Sequence, residues 1–366
     1  MWARLARTVS AIGRLLLNWG VLVLAVAVVL LVRYNAEVRA RAPLPIPAVH
    51  LAAADARQWR AFPSFRGTVP VLTYHGINDS NDGLSVRPQA FAGQLLALKT
   101  AGFHPITLSQ YVSFVHGDRR GLPSRPILLT FDDGRLDTYR AADRILRKYR
   151  FPATMFTFAA WPTMNPGFDL TWDELRRMVQ SGIWSVQEHG GHGHEYVVIN
   201  ASGGEGGVYA FRQYIASRTG QGGHLESFPS FRRRVKSSIL WGAHQFATRI
   251  PGFRPLAFAV PEGNYGQQQT NDRRIPRFML PWLKSHFPVV FGGDYLTGHT
   301  DVRFSPEVTY RITMGSRVSL RAMHCRLRDW ATRAPIWKEY RCLRPASVRQ
   351  HFGRHRDDGL AKGPRA

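Results

Sequence analysis

Three polar clusters in this sequence carry residues of types and spacing that can do chemistry. The run Thr130-Phe131-Asp132-Asp133-Gly134 sets two carboxylates side by side at the end of a short apolar stretch. Successive side chains of an extended segment point to opposite faces, so one carboxylate can hold a cation while its neighbour faces a substrate. Their mutual repulsion favours a cation or a proton between them. By residue type alone the pair also reads as a strand-ending Asp followed by a turn-forming Asp-Gly. The second cluster, His189-Gly190-Gly191-His192-Gly193-His194, places three imidazoles on a glycine-rich loop. Imidazole is the commonest metal ligand near neutral pH, and glycine lets a backbone bend until several rings converge. The plainer alternative is a solvated, inert loop. The third is His75, a lone histidine after an apolar run. The Asp and His clusters together offer two imidazoles and a carboxylate, the donor set of an open metal site. No Gly-x-Ser-x-Gly elbow occurs, and Cys325 and Cys342 both come late with no active-site signature around them. That argues against a serine or cysteine hydrolase. In an exported chain the two cysteines could pair.

Each cluster follows a segment that reads as a buried strand. Val69–Tyr74, Ile127–Phe131, Thr154–Phe158, Ile183–Gln187, Leu256–Val260, Val289–Phe291 and Tyr310–Met314 are short, rich in β-branched or aromatic residues, and bounded by Pro, Gly or polar residues. Helices are predicted over Pro88–Thr100, Asp137–Tyr149, Trp172–Gln180 and Ser230–Arg249. Thr171 with Glu174 forms a capping-box pattern, and Gly102 and Gly182 are stop signals. Seven strands alternating with helices predict an α/β fold, a distorted (β/α)7 barrel, with an open doubly wound sheet as the alternative. No glycine-rich phosphate loop follows the first strand. Barrel enzymes place functional residues at the C-terminal ends of their strands, where all three clusters fall. Ala201–Gly223, rich in Gly and Ser, reads as a long surface loop.

Thr130-Phe131-Asp132-Asp133-Gly134 resembles the first motif of the polysaccharide deacetylases of carbohydrate esterase family 4, the NodB-like domains. The resemblance implies that Asp132 is the catalytic base and Asp133 a metal ligand. The family's usual pair of histidines four residues apart is missing, since position 193 is glycine. The five-residue spacing of His189 and His194 is similar to that of the subgroup acting on poly-β-1,6-N-acetylglucosamine. His192 stays open as an alternative ligand. Thr73-Tyr74-His75 looks like that subgroup's early acid motif and implies His75 as the catalytic acid, with Met323-His324 as the rival position. Pro261-Glu262-Gly263 resembles the third, substrate-binding motif loosely, because Glu262 stands where an aromatic is usual. The implied activity is metal-dependent N-deacetylation of an N-acetylglucosamine polysaccharide with release of acetate, the divalent metal being zinc. Peptidoglycan or chitin deacetylation, or a non-catalytic glycan-binding module on the same fold, are the alternatives.

The rest of the chain positions this domain. Leu15–Val32 is an apolar run, and eighteen residues at 1.5 Å rise span roughly 27 Å, close to a bilayer core. Arg4, Arg7 and Arg14 precede it, which by the positive-inside rule leaves the N-terminus in the cytoplasm and the domain outside. The run is longer than a signal-peptide core, so an uncleaved single-pass anchor in the cell membrane is expected. The expected organisation is a cytoplasmic N-terminus over 1–14, a transmembrane anchor over 15–32, a Pro- and Ala-rich stalk over 33–67, the deacetylase domain over 68–330 and a basic tail over 331–366. The formal net charge is +24. A nucleic-acid partner does not fit an exported domain, which leaves anionic lipid or cell-wall polymer for the basic surface. A charge of this sign does not suit a polymer that becomes cationic as it loses acetyl groups.

Overall fold

The structure is a computed structural model and describes residues 2–65, 67–165, 167–218, 222–294 and 308–331. The chain divides into two units, Met1–Pro45 and Ile46–Ala366. The first is a single helix, α1 (Trp2–Arg41). Its described apolar side chains are exposed, among them Val23, Leu24, Leu30 and Leu31. Among the described residues no helix is long and apolar enough to cross a membrane. The anchor expected over 15–32 lies partly outside the residues whose side chains are described.

In the second unit all seven predicted strands form and close into a parallel barrel. They are β1 (Val71–Tyr74), β2 (Pro126–Phe131), β3 (Ala153–Phe158), β4 (Trp184–Gly190), β5 (Ala257–Ala259), β6 (Val289–Asp294) and β7 (Thr309–Thr313). Sequential neighbours pair from β1 to β7, and β7 pairs back onto β1. A two-residue strand, His104–Pro105, adds outside this ring against β2. The helices of this unit are α2 (Ala53–Arg60), α3 (Pro88–Thr100), α4 (Leu108–Val115), α5 (Leu136–Tyr149), α6 (Trp161–Met164), α7 (Trp172–Gln180), α8 (Phe228–Arg249), α9 (Arg274–Lys284) and α10 (Leu320–Ala331). The capping box of α7 forms as read, with Thr171 and Glu174 each accepting the other's backbone N–H.

Strand periodicity decides which residues face inward. Val71 and Leu128 join Phe156, Ala257, Ala259, Val289 and Phe291 in one buried cluster, capped by Tyr111 of α4. Polar residues share this inner face and are bonded to one another: Thr73 Oγ1 lies 2.8 Å from Thr130 Oγ1, and Thr154 Oγ1 2.9 Å from Ser185 Oγ. The alternate residues, Tyr74, Phe131 and Trp184, stack outward under the helices.

Two expectations are corrected. The segment read as a stalk over 33–67 is helical to Arg41, and from Ala53 it belongs to the domain. Trp59, Phe62 and Phe65 are buried there, and α2 packs on α3 and α10. Trp59 lies in α2, while Phe62 and Phe65 follow its end, and the Pro and Ala content obscures these three buried anchors. The stretch read as a long surface loop instead carries two hairpins, Tyr196–Val198 with Glu205–Gly207 and Tyr214–Ala216 with Gly223–Leu225. Val208, Tyr209, Ala210 and Phe211 between them are buried. The expected tail lies outside the described residues beyond Ala331. Cys325 is disulfide-bonded; Cys342, the other cysteine of the sequence, lies outside the described residues.

Candidate metal centre and catalytic groups

Asp132 and Asp133 follow β2 directly, and the backbone separates their roles. Asp132 continues the inward face of the strand and is 2% exposed. At Asp133 the chain turns into the left-handed region, φ 73°, and Gly134 follows at φ 69°. Asp tolerates that region better than most residues. Gly134 is required twice over, because a Cβ there would also stand 2.0 Å from Thr157 Oγ1.

The turn brings Asp133 against the histidine loop. His189 lies in β4 itself and His194 four residues beyond its end. His194 Nε2 lies 3.0 Å from Asp133 Oδ1, and His189 Nε2 lies 3.6 Å from the same oxygen. One donor atom of each residue lies within 4.8 Å of the others. Gly193 makes this approach feasible: its φ is 129°, and a Cβ would meet Trp161 Nε1 at 2.5 Å. Phe158 packs against both rings, at 4.7 Å from His189 and 5.0 Å from His194.

The donor set fits a divalent metal. Bonds of about 2.0–2.2 Å at tetrahedral angles separate ligand atoms by roughly 3.3–3.6 Å. His189 Nδ1 lies 2.7 Å from the Ala259 carbonyl oxygen, so that nitrogen carries the proton and donates it. The lone pair of Nε2 is left facing Asp133, as a ligating imidazole requires. Burial lowers the His189 pKa to about 4, outweighing the nearby Asp132 and Asp133, and keeps the ring neutral. Burial by itself would raise the Asp133 pKa, but the His194 hydrogen bond and the neighbouring histidines hold it well below the usual carboxylate range.

Of the two candidates for second histidine ligand, His194 is the one beside Asp133. His192 is exposed and stacks on Trp241 of α8, with ring centroids 4.7 Å apart and planes 6° apart. The alternative that His192 is a ligand is therefore corrected. The rival acid position is corrected too: His324 packs edge-on against Trp59 and Phe62, each at 5.0 Å, in the layer joining α2 to α10. His75 follows β1, and its carbonyl accepts a hydrogen bond from Thr138 Oγ1. Its Nδ1 is buried with no hydrogen-bond partner among the described residues, and its ring is close enough to act electrostatically on both Asp132 and Asp133.

A residue the sequence reading passed over completes the site. Arg311, on the inner face of β7, grips Asp132 with both terminal nitrogens, at 2.7 and 2.6 Å. Its guanidinium lies 5.7 Å from the ring centroids of both Phe156 and Phe291. Burial by itself would raise the Asp132 pKa; Arg311, and after it His189 and His75, hold it below the ordinary value. A charged residue inside a predicted buried strand was the available signal, since an unpaired charge is not buried there.

Pro261-Glu262-Gly263 forms a 3-10 turn just beyond β5. Glu262 adopts φ 56° and is exposed beside His194 in a pocket that Pro261 and Asn264 also line. The Gly263 N–H is donated to the Val260 carbonyl at 2.9 Å, so it is spent within the turn.

The chain resembles known proteins over the barrel domain. Residues 119–272 match the family model described as polysaccharide deacetylase. A poly-beta-1,6-N-acetyl-D-glucosamine N-deacetylase of Escherichia coli (strain K12) is 23% identical over 208 residues, which cover 52% of this chain and 30% of that protein. The chain thus spans less than a third of that relative's length. Among solved structures, a de-N-acetylase from Aggregatibacter actinomycetemcomitans aligns with TM-score 0.54 at 21% identity, covering 68% of this chain and 95% of the other. The BpsB deacetylase domain from Bordetella bronchiseptica aligns with TM-score 0.53 at 22% identity, covering 68% and 96%. These likenesses establish the fold.

Proposed function

We propose, from the premise that residues 119–272 form a polysaccharide deacetylase domain, that this protein hydrolyses N-acetyl groups from an N-acetylglucosamine polysaccharide. The observation that carries the reading is the convergence of Asp133, His189 and His194 beside a second carboxylate held ionised by Arg311. Asp133, His189 and His194 would hold a divalent metal, zinc being the natural choice for this donor set. When bound, such an ion polarises an acetamide carbonyl and acidifies a water. Asp132 accepts the proton of the attacking water. Its two bonds to Arg311 fix the carboxylate plane and keep it unprotonated while it waits. His75 gives a proton to the amine nitrogen as the carbon–nitrogen bond breaks. The products are acetate and a glucosamine unit.

A β-1,6-linked substrate is favoured by the early position of His75 and the five-residue histidine spacing, which this chain shares with the subgroup it resembles. Leu15–Val32 is proposed to anchor the chain in the cell membrane with the domain outside, supported by the exposed apolar side chains of α1. The basic surface, in a chain of net charge +24, is proposed to meet anionic lipid or wall polymer.

The test is acetate release from β-1,6- and β-1,4-linked N-acetylglucosamine oligomers with added metal. Asp132→Asn should keep stoichiometric metal and lose acetate release; an active Asp132→Asn variant sinks the assignment of Asp132 as base. Metal-free protein that still binds the oligomers would instead favour a non-catalytic glycan-binding module.

A further inference from the structure

No hydrogen bond among the described residues holds the buried Nδ1 of His75. The direction of this imidazole is left to its backbone and packing, and the backbone on both sides of it is pinned. The Thr73 carbonyl accepts from the Met314 N–H at 2.7 Å and the Tyr74 carbonyl from the Asp132 N–H at 2.9 Å, which fixes the strand up to the histidine. Beyond it, the Gly76 carbonyl accepts from the Val86 N–H at 2.8 Å, and the Asn78 N–H is donated to the Val86 carbonyl at 3.1 Å, which closes the loop after β1. The carbonyl of His75 itself is held by a side chain. The hydroxyl of Thr138, a fully buried residue in the first turn of α5, donates to it.

The neighbouring Asp137 ties the same turn to the loop. Its Oδ2 accepts from Asn78 Nδ2 at 2.6 Å and from Arg135 Nη2 at 2.5 Å, and its Oδ1 accepts from Arg135 Nε at 3.1 Å. Arg135 and Asn78 meet again at Gly76, the residue after the histidine. A Cβ there would stand 2.9 Å from both Arg135 Nη2 and Asn78 Nδ2 and would strike Ser85 Oγ. The Arg135 guanidinium is backed by Phe168, 4.9 Å from the ring centroid. An acidic residue in the first turn of a helix ordinarily serves that helix's own N–H groups and dipole. No side chain caps α5, and both oxygens of Asp137 are bonded to side chains that precede the helix.

We infer that Asp137 is a positioning residue: through Asn78 and Arg135 it holds the turn at Gly76 and so sets where the His75 imidazole stands relative to Asp132. This rests on the reading of His75 as the proton donor. Asp137 does not touch the reacting atoms and acts through His75. The arrangement has a chemical reason. Helix α5 begins at Leu136, three residues after Asp133, so one short stretch carries the base, a metal ligand and the clamp on the acid. Acid and base then keep their spacing as a unit. An imidazole with no partner on its buried nitrogen has little else to restore its direction if that loop shifts, and a misplacement of about 1 Å can cost on the order of 100-fold in rate.

A double-mutant cycle on the full chain tests this, reading acetate release from a β-1,6-linked N-acetylglucosamine oligomer with added metal, together with bound metal by elemental analysis. Asp137→Ala should lower kcat on the order of 100-fold while KM and bound metal stay at the parent level. In a His75→Ala background the same substitution should cost less than about two-fold, because a residue that acts only through His75 has nothing left to act on. Asp137→Asn keeps one accepting oxygen and should recover part of the loss. Asn78→Ala, at a half-buried loop position, cuts the tie with little disturbance and keeps the test decisive if Asp137→Ala does not fold; it should show a smaller loss of kcat with the same dependence on His75. Parent kcat in both Asp137→Ala and Asn78→Ala overturns the inference. So does a loss of the same factor with and without His75, which marks a merely structural role. A His75→Ala variant with the parent kcat overturns the acid reading and the inference with it, whereas the other two results overturn the inference alone.

Discussion

Arg311→Met removes the partner of a buried carboxylate while keeping most of the side chain's apolar bulk. Asp132 is 2% exposed and Arg311 4%. Two charge-assisted bonds of 2.6 and 2.7 Å are lost together. Breaking a buried pair by removing one partner costs about 3–5 kcal/mol, because the remaining charge is left without compensation. Asp132 can relieve that cost by taking up a proton, since burial is the largest influence on its titration and acts upward. A protonated Asp132 is no base, and losing a general base typically costs 10²- to 10⁴-fold. Acetate release at pH 7 should fall by about that factor. The acidic limb of the rate profile should move to higher pH, because Asp132 must now be deprotonated against its burial. Stability should change in step. In the parent chain the Asp132 pKa is depressed, so its contribution to folding is present above the unfolded carboxylate pKa and lost as pH falls through the folded value. In Arg311→Met that acid-limb dependence should vanish or reverse. Arg311→Lys restores the charge without the two-pronged geometry and should be intermediate. The measurements are a pH–rate profile of acetate release and thermal unfolding across pH. An Arg311→Met variant with the parent's acidic limb would refute the idea that this arginine holds the base ionised.

Four further outcomes follow from the geometry. His194→Ala should lower metal affinity beyond the roughly 10–100-fold typical of losing an outer partner, whereas His192→Ala should leave bound metal at the parent level by elemental analysis. Gly134→Ala should destabilise by about 1–3 kcal/mol in chemical denaturation, since a Cβ would meet Thr157 Oγ1 at 2.0 Å at a φ of 69°. Trp59→Ala should cost about 3–5 kcal/mol, as befits a core residue; a cost near zero would return that segment to the role of a stalk. Glu188 is fully buried, neither of its oxygens has a hydrogen-bond partner among the described residues, and burial raises its pKa well above normal. Its burial therefore costs folding least below the unfolded carboxylate pKa and more as pH rises toward the raised folded value, so Glu188→Leu should raise the unfolding midpoint, and more so at pH 8 than at pH 5.

Much of the architecture was legible from local pattern. The seven strands were readable because each is a short apolar run between turn residues, and α7 because its capping box is a four-residue signal. Other elements were hidden. Helix α9 carries Pro281 in its interior, and α2 lies in an Ala-rich stretch that imitates a linker. Asp132, Asp133, His189, His194 and His75 could be nominated because metal ligands and proton carriers are scarce residue types, placed here at strand ends.

The choice among the histidines was not available to spacing. His192 and His194 stand two residues apart on a glycine-rich loop whose bends set their directions, and it is His194, next to the close approach of Gly193 to Trp161, that meets Asp133. Arg311 was equally hidden: it is one of 49 basic residues, and its partner lies 179 positions away in the sequence. Residue types, periodicity and caps determined the barrel strands and which groups could act. Closure of the barrel decided which of them meet, because only then do β2, β4 and β7 aim their inward residues at a common point.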